Sequence, residues 1–203
     1  MTLDFGLWAL DSGLLMDIEF ELPAVQHELM GHVGFNQGEP VTVTLESDVL
    51  VADPAASGWF AVQKEALPMR FVLVAPATYA FTGQIMAAEL EKSDGGETAV
   101  LLVQCGDIPV RVICGPNDDG RLPFGTWETR YLTGVSRLHG IIEDDFQTAI
   151  GKSLDVTIWQ LRRLVLAPGD PVFGQWYETD ALPPTPYHYD RVIVQCRLHR
   201  SRL

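Results

Sequence analysis

The stretch IMAAELEKSDGGETAVLLVQCGDIPVRVIC, residues 85–114, decides how this chain folds. It divides into three runs whose side chains alternate at period two, separated by turn residues within Asp94 to Gly96 and at Gly106 and Asp107. With both connections read as tight hairpins, one face of the meander collects Met86, Ala88, Leu90, Leu101, Val103, Cys105, Ile108, Val110, Val112 and Cys114, all apolar. The other face collects Ile85, Ala87, Glu89, Glu91, Val100, Leu102, Gln104, Arg111 and Ile113, where charge and apolar bulk are mixed. A slip of one residue in any run would exchange the faces, so three runs agreeing under one register predict antiparallel β structure.

The same period continues in both directions. Leu14, Met16, Ile18, Phe20 and Leu22 alternate with Leu15, Asp17, Glu19 and Glu21, and Asp11, Ser12 and Gly13 would join this run to residues 5–10 in a hairpin. Further strands are expected at 41–46, 49–52, 59–63, 71–75, 130–142, 155–167 and 191–198. The best helix candidate is 143–153, with acids in its first turn and Lys152 near its end, both matched to the helix dipole. The expected fold class is therefore all-β, a mainly antiparallel barrel or sandwich with at most one or two short helices. Three meander strands, a connection and two more strands over 78–167 resemble an OB-type barrel in architecture alone. The organisation reads as an acidic β-rich region, 1–76, and a barrel-like region, 77–203, with the two also able to form one continuous domain.

Composition narrows the class. Of 203 residues, 47% are apolar and 20% charged, the ordinary globular mixture, which excludes a disordered chain and a disulfide scaffold. Cys105, Cys114 and Cys196 lie in strand-like apolar runs and cannot all pair with one another, as expected of reduced, buried thiols. The start Met1, Thr2, Leu3, Asp4 lacks the basic lead of a signal peptide, and the charge-free stretch 71–86 is cut by Pro76 and is shorter than the roughly 20 residues of a membrane helix. A cytoplasmic protein without a membrane segment is the expectation.

No catalytic motif is complete. His27-Glu28-Leu29-Met30-Gly31-His32 has the residues of a zinc protease helix, but a spacing of five turns the second imidazole roughly 140° from the first. The loop Gly115 to Leu122 has the glycine spacing of a phosphate loop, with Arg121 and Leu122 where Lys and Ser or Thr are needed. Gly134-Val135-Ser136-Arg137-Leu138 lacks the second glycine of a nucleophile elbow. The residues call for no metal and no cofactor.

Charge is the strongest functional signal. The first 63 residues hold ten carboxylates and no Lys or Arg, whereas the last 13 hold Arg191, Arg197, Arg200 and Arg202 and no carboxylate, within a net charge of −13. Asp17, Glu19 and Glu21 project from one strand face about 6.6 Å apart, a row suited to meeting a basic surface. The leading expectation is a non-catalytic binding or assembly protein whose acidic row meets a basic protein partner, or Arg191, Arg197 and Arg200 of a second copy in a homo-oligomer. Trp176, Tyr177, Tyr187, His188 and Tyr189, around Pro183, Pro184 and Pro186, form a candidate ligand-binding segment. One alternative is an OB-like single-strand nucleic-acid binder using Arg111, Arg130, Arg137, Arg162 and Arg163 with Trp127, Tyr131 and Trp159, which the net charge disfavours. Another is an enzyme with a cleft near His139, His188 and the acids Glu143, Asp144 and Asp145.

Overall fold

The structure, a computed structural model, describes residues 16–22, 35–93, 96–116, 130–142, 150–182 and 190–199. Among them the protein is all-β and contains no helix. The strands are β1 (Asp17–Leu22), β2 (Phe35–Asn36), β3 (Pro40–Leu50), β4 (Trp59–Gln63), β5 (Arg70–Ala75), β6 (Thr78–Ser93) and β7 (Gly96–Cys105). There follow β8 (Ile108–Cys114), β9 (Tyr131–Ile142), β10 (Leu154–Leu164), β11 (Trp176–Thr179), β12 (Ala181–Leu182) and β13 (Arg191–Leu198). The hairpin 5–22 is described only from Met16 onward, and residues 143–149 of the expected helix lie outside the described residues; 150–153 are not helical.

The meander forms as its alternation requires. Cys105 pairs with Ile108 across Gly106 and Asp107, and Leu101, Val103, Cys105, Ile108, Val110, Val112 and Cys114 are all buried. Met86 departs from the expectation. A bulge between Ile85 and Ala87 gives β6 one extra residue, so Ile85 takes the inward place opposite Val103 and Met86 points to solvent. The bulge follows Gly83, where an added Cβ would lie 2.5 Å from the Gln104 carbonyl oxygen, so only glycine lets the two backbones approach there.

Eleven strands form one mixed sheet that closes on itself through two circuits sharing β3 and β9. One circuit runs β9, β6, β7, β8, β3; the other runs β3, β10, β13, β1, β9. Each contains a single parallel contact, β3 with β8 and β9 with β1, the second through Glu21 and His139 alone. In each circuit three further strands link β3 and β9 in antiparallel series, with the last link parallel. The first circuit contains the meander of the expected OB-type barrel, β6, β7 and β8, with β9. Its fifth place, parallel to β8 and antiparallel to β9, is taken by β3, while β10 belongs to the other circuit. Long-range pairing of this kind leaves no mark in the local period, which is why 78–167 alone suggested the wrong fifth strand.

One apolar cluster fills both circuits, from Ile18, Phe20 and Leu22 through Leu45 and Leu138 to Val110 and Val194. The shared pair crosses at Leu45 and Gly140. Phe20 occupies the space that a side chain at 140 would need, since a Cβ built there falls 2.1 Å from its ring.

Candidate functional site

The acidic row and the arginines expected to meet a partner lie side by side in one chain. β1 and β13 run antiparallel with Asp17 opposite Arg197, Glu19 opposite Gln195 and Glu21 opposite Ile193, and Arg191 reaches Glu21 diagonally from two residues further along β13. Arg191 donates from Nε and Nη2 to both Glu21 oxygens at 3.0 and 2.6 Å, the two-pronged geometry that makes Arg–carboxylate pairs directional. Those bonds raise the Arg191 pKa above its ordinary value, against an opposing effect of burial. Arg137 joins Glu21 to Asp48 at 3.5 and 3.2 Å, and the Asp48 carboxylate also meets His139 Nε2 at 2.6 Å. Arg111 pairs with Glu46 next along β3. Ion pairs thus cross five strands, and much of the acidic N-terminal charge is met within the molecule. Arg200 lies outside the described residues.

Asp48 is the group whose titration this network controls. Burial alone would push its carboxyl upward, but the His139 hydrogen bond and the Arg137 charge together outweigh it and hold it below the ordinary carboxylate value. A depressed folded pKa contributes stability above the unfolded value and loses it as pH falls through the folded one. The stability gap between the wild type and Asp48→Asn is therefore expected to shrink as pH drops below about 4. Thermal unfolding across that range checks it; a gap that widens in acid would contradict the sign.

Glu19 is built differently. Its side chain lies with a residue exposure of only 6%, and its oxygens accept from Gln195 Nε2 at 2.9 Å and from the Ala77 N–H at 2.5 Å. Its own N–H donates to the Tyr79 hydroxyl at 2.8 Å, since β1 has left β9 at this point and β6 has taken its place. Among the described residues no Lys, Arg or His pairs with this carboxylate. Ala77 sits between β5 and β6 with φ at +52°, in the left-handed region that costs a non-glycine residue roughly 1 kcal/mol. The Glu19 bond and the bond from the Leu138 N–H to the Ala77 carbonyl hold it there.

Beside Glu19 opens a cleft of about 140 Å³, lined by Asp17, Ile18, Glu19, Leu73, Tyr79, Trp159 and Gln195. Two of these residues leave a buried polar atom without a partner, Trp159 at Nε1 and Gln195 at Oε1. Trp159 is the extra residue of a bulge in β10, and Arg197 lies 5.8 Å from its ring centre while reaching Asp17 at 3.3 Å. Leu73 of β5 forms the far wall. β5 itself ends the sheet path and pairs only with β6 among the described residues. Its Val72, Leu73 and Val74 are exposed by 42%, 47% and 54%, an apolar edge with one charge, Arg70, at its start.

Of the aromatic segment, Trp176 and Tyr177 lie on β11, the opposite end of the sheet path, partly exposed beneath Arg162 and Arg163. Tyr187, His188, Tyr189, Trp127, Glu143, Asp144 and Asp145, with His27 and His32 and most of the loop from Gly115, lie outside the described residues. Ser136 is fully buried inside β9, where it accepts from the Asp48 N–H and donates to the Arg137 carbonyl. Burial pushes the Cys105 and Cys196 thiols up to about 12, and raises Cys114 as well, which leaves all three unreactive.

The cleft was not foreseen from sequence. Its parts, Trp159, Tyr79, Leu73 and Gln195, come from four strands whose packing no local pattern encodes. A partial clue to β1 and β13 was present, because D-I-E-F-E and R-V-I-V-Q-C-R aligned antiparallel put Asp17 opposite Arg197 and leave Arg191 two residues past the position facing Glu21. Compared with models of protein families, curated proteins and solved structures, the chain matches none, so its function is read from this geometry.

Proposed function

We propose that this is a non-catalytic binding protein that captures an extended, basic segment of a partner protein by adding it as a strand along β5. The observation that carries the reading is the exposed apolar edge of Val72, Leu73 and Val74. Proteins ordinarily blunt such edges with Lys, Pro or short length, because unpaired backbone groups recruit other strands. An edge of six residues without a charge after Arg70 is suited to strand addition, with main-chain bonds giving affinity and side-chain pockets giving selectivity. Charge complementarity selects the partner's chemistry: the chain carries −13, and Asp17 and Glu19 border the cleft that Leu73 walls.

The nucleic-acid reading has less support, since Arg111, Arg137 and Arg163 each face a carboxylate. Among the described residues, a catalytic reading finds only Ser136 and Ser47 near the His139 and Asp48 pair, and both are buried and engaged with backbone.

The test uses an eight-residue peptide alternating Val and Arg, its Val and Glu counterpart, and fluorescence anisotropy. The Val–Arg peptide is expected to bind, more weakly as salt rises, and to slow hydrogen exchange across Arg70–Ala75. The double substitution Val72→Lys and Val74→Lys should lower affinity at least tenfold, while Val49→Lys, equally exposed but on β3, should not. Equal binding by all variants overturns the reading. So does a concentration-dependent dimer that the double substitution abolishes, which would make a second copy the occupant of β5.

A further inference from the structure

We infer that the cleft beside β5 is a receptor for an arginine side chain of the captured strand, with Glu19 as its anionic anchor. The inference rests on the strand-capture reading for the origin of the guest, and on separate observations for its chemistry.

The first observation is Glu19 itself. A carboxylate this deeply placed is costly unless a cation or a full set of donors faces it. Its two hydrogen-bonding partners are neutral, the Gln195 amide and the Ala77 N–H, and no cation among the described residues meets it. The second is the pair of orphaned atoms. Gln195 Oε1 lacks a donor and Trp159 Nε1 lacks an acceptor, although buried polar atoms are nearly always paired. Both residues line the same cleft as Glu19. A guest that satisfies all three must bring several donors and one acceptor. An arginine residue brings both, a planar guanidinium with five N–H groups for Glu19 and Gln195, and a main-chain carbonyl for Trp159.

Size and surroundings agree. A space of 140 Å³ equals the liquid volume of about four to five waters, enough for a guanidinium and part of its stem. Ile18, Leu73 and Tyr79 provide apolar walls for that stem, and Trp159 an aromatic face of the kind over which cations settle. Arg197 already lies over that ring and touches Asp17, which demonstrates that the indole accepts a guanidinium. That contact is roughly half exposed at both partners, so it leaves the deeper Glu19 to the guest.

The probe is N-acetyl-arginine methylamide, with the isosteric neutral citrulline derivative as its control. Titration is followed by the Trp159 indole N–H resonance, assigned with Trp159→Phe. The arginine derivative is expected to shift that resonance and saturate, with the citrulline derivative at least tenfold weaker. Glu19→Gln, which keeps a hydrogen-bonding oxygen near Ala77, should lower the arginine affinity tenfold or more. Asp17→Asn, at an exposed position that puts folding at no risk, should lower it about threefold. Equal binding of the two derivatives, or full affinity in both variants, overturns the inference. The two proposals fail separately. If the arginine derivative binds while Val72→Lys with Val74→Lys leaves peptide affinity intact, strand capture fails and the receptor stands. If the peptide binds through β5 but tolerates citrulline in place of every arginine, the receptor fails and strand capture stands.

Discussion

Phe20→Ala is expected to destabilise the protein by about 3–5 kcal/mol, and Gly140→Ala by about 1–3 kcal/mol, although alanine is the better residue for an extended backbone. Phe20 is fully buried in β1, and its ring fills the space above Gly140 where the two circuits share their strands. Alanine at 140 would gain about 0.4–1 kcal/mol from a stiffer unfolded chain, but its Cβ would meet ring carbons at 2.1 to 2.8 Å. The ring cannot retreat through a close-packed core, so the clash outweighs the entropy. Combining Gly140→Ala with Phe20→Leu should therefore cost less than the sum of the single changes, by about 1 kcal/mol or more, as contacting sites do. Urea unfolding of the four proteins measures this. Strict additivity, or a Gly140→Ala protein as stable as the wild type, would show that the ring has room to move.

Arg163→Met should cost about 3–5 kcal/mol, because it strands a buried charge. The Asp190 side chain has no exposed surface, and its oxygens accept from Arg163 Nε at 2.5 Å and from the Leu166 N–H at 2.8 Å. Adding Asp190→Asn removes the stranded charge and keeps an oxygen for Leu166, so the double variant should recover most of the loss. Thermal and urea unfolding at neutral pH provide the readout. Arg163 also lies 6.0 Å from the Tyr177 ring centre, so Tyr177 fluorescence should change in both variants. A double variant no more stable than Arg163→Met alone would mean that lost packing of the guanidinium, and not the orphaned carboxylate, sets the cost.

Which parts of the molecule were legible in the chain follows from the range of the forces involved. Alternation is local, so the faces of β7 and β8 and the positions of β9, β10 and β13 could be read from residue order. The β6 bulge was not legible, since the insertion of Met86 as an unpaired residue is imposed by contact with β7 and leaves the apolar run unchanged. Residue order puts Asp17, Glu19 and Glu21 at alternate positions of one strand, but does not show that Glu19 and Glu21 are buried or what they face. Arg191 is 170 residues from Glu21, and only the packed sheet brings them together. The cleft is the extreme case, because Glu19, Leu73, Trp159 and Gln195 become a site only after both circuits close.

That β1 pairs with β13 has a consequence for how the protein is made. A ribosome adding about 5–20 residues per second delivers residues 191–198 some 10–30 s after residues 17–22. The circuit of β3, β6, β7, β8 and β9 can assemble in that interval, while β1 waits without its main partner. Alternate carboxylates at 17, 19 and 21 keep the waiting strand repelled from its copies on neighbouring nascent chains. The arginines of β13, about 170 residues later in the chain, then pair with Glu21 and Asp17 within the same molecule. The negative charge of β1 is thus met by arginine only in a chain in which β13 is already present.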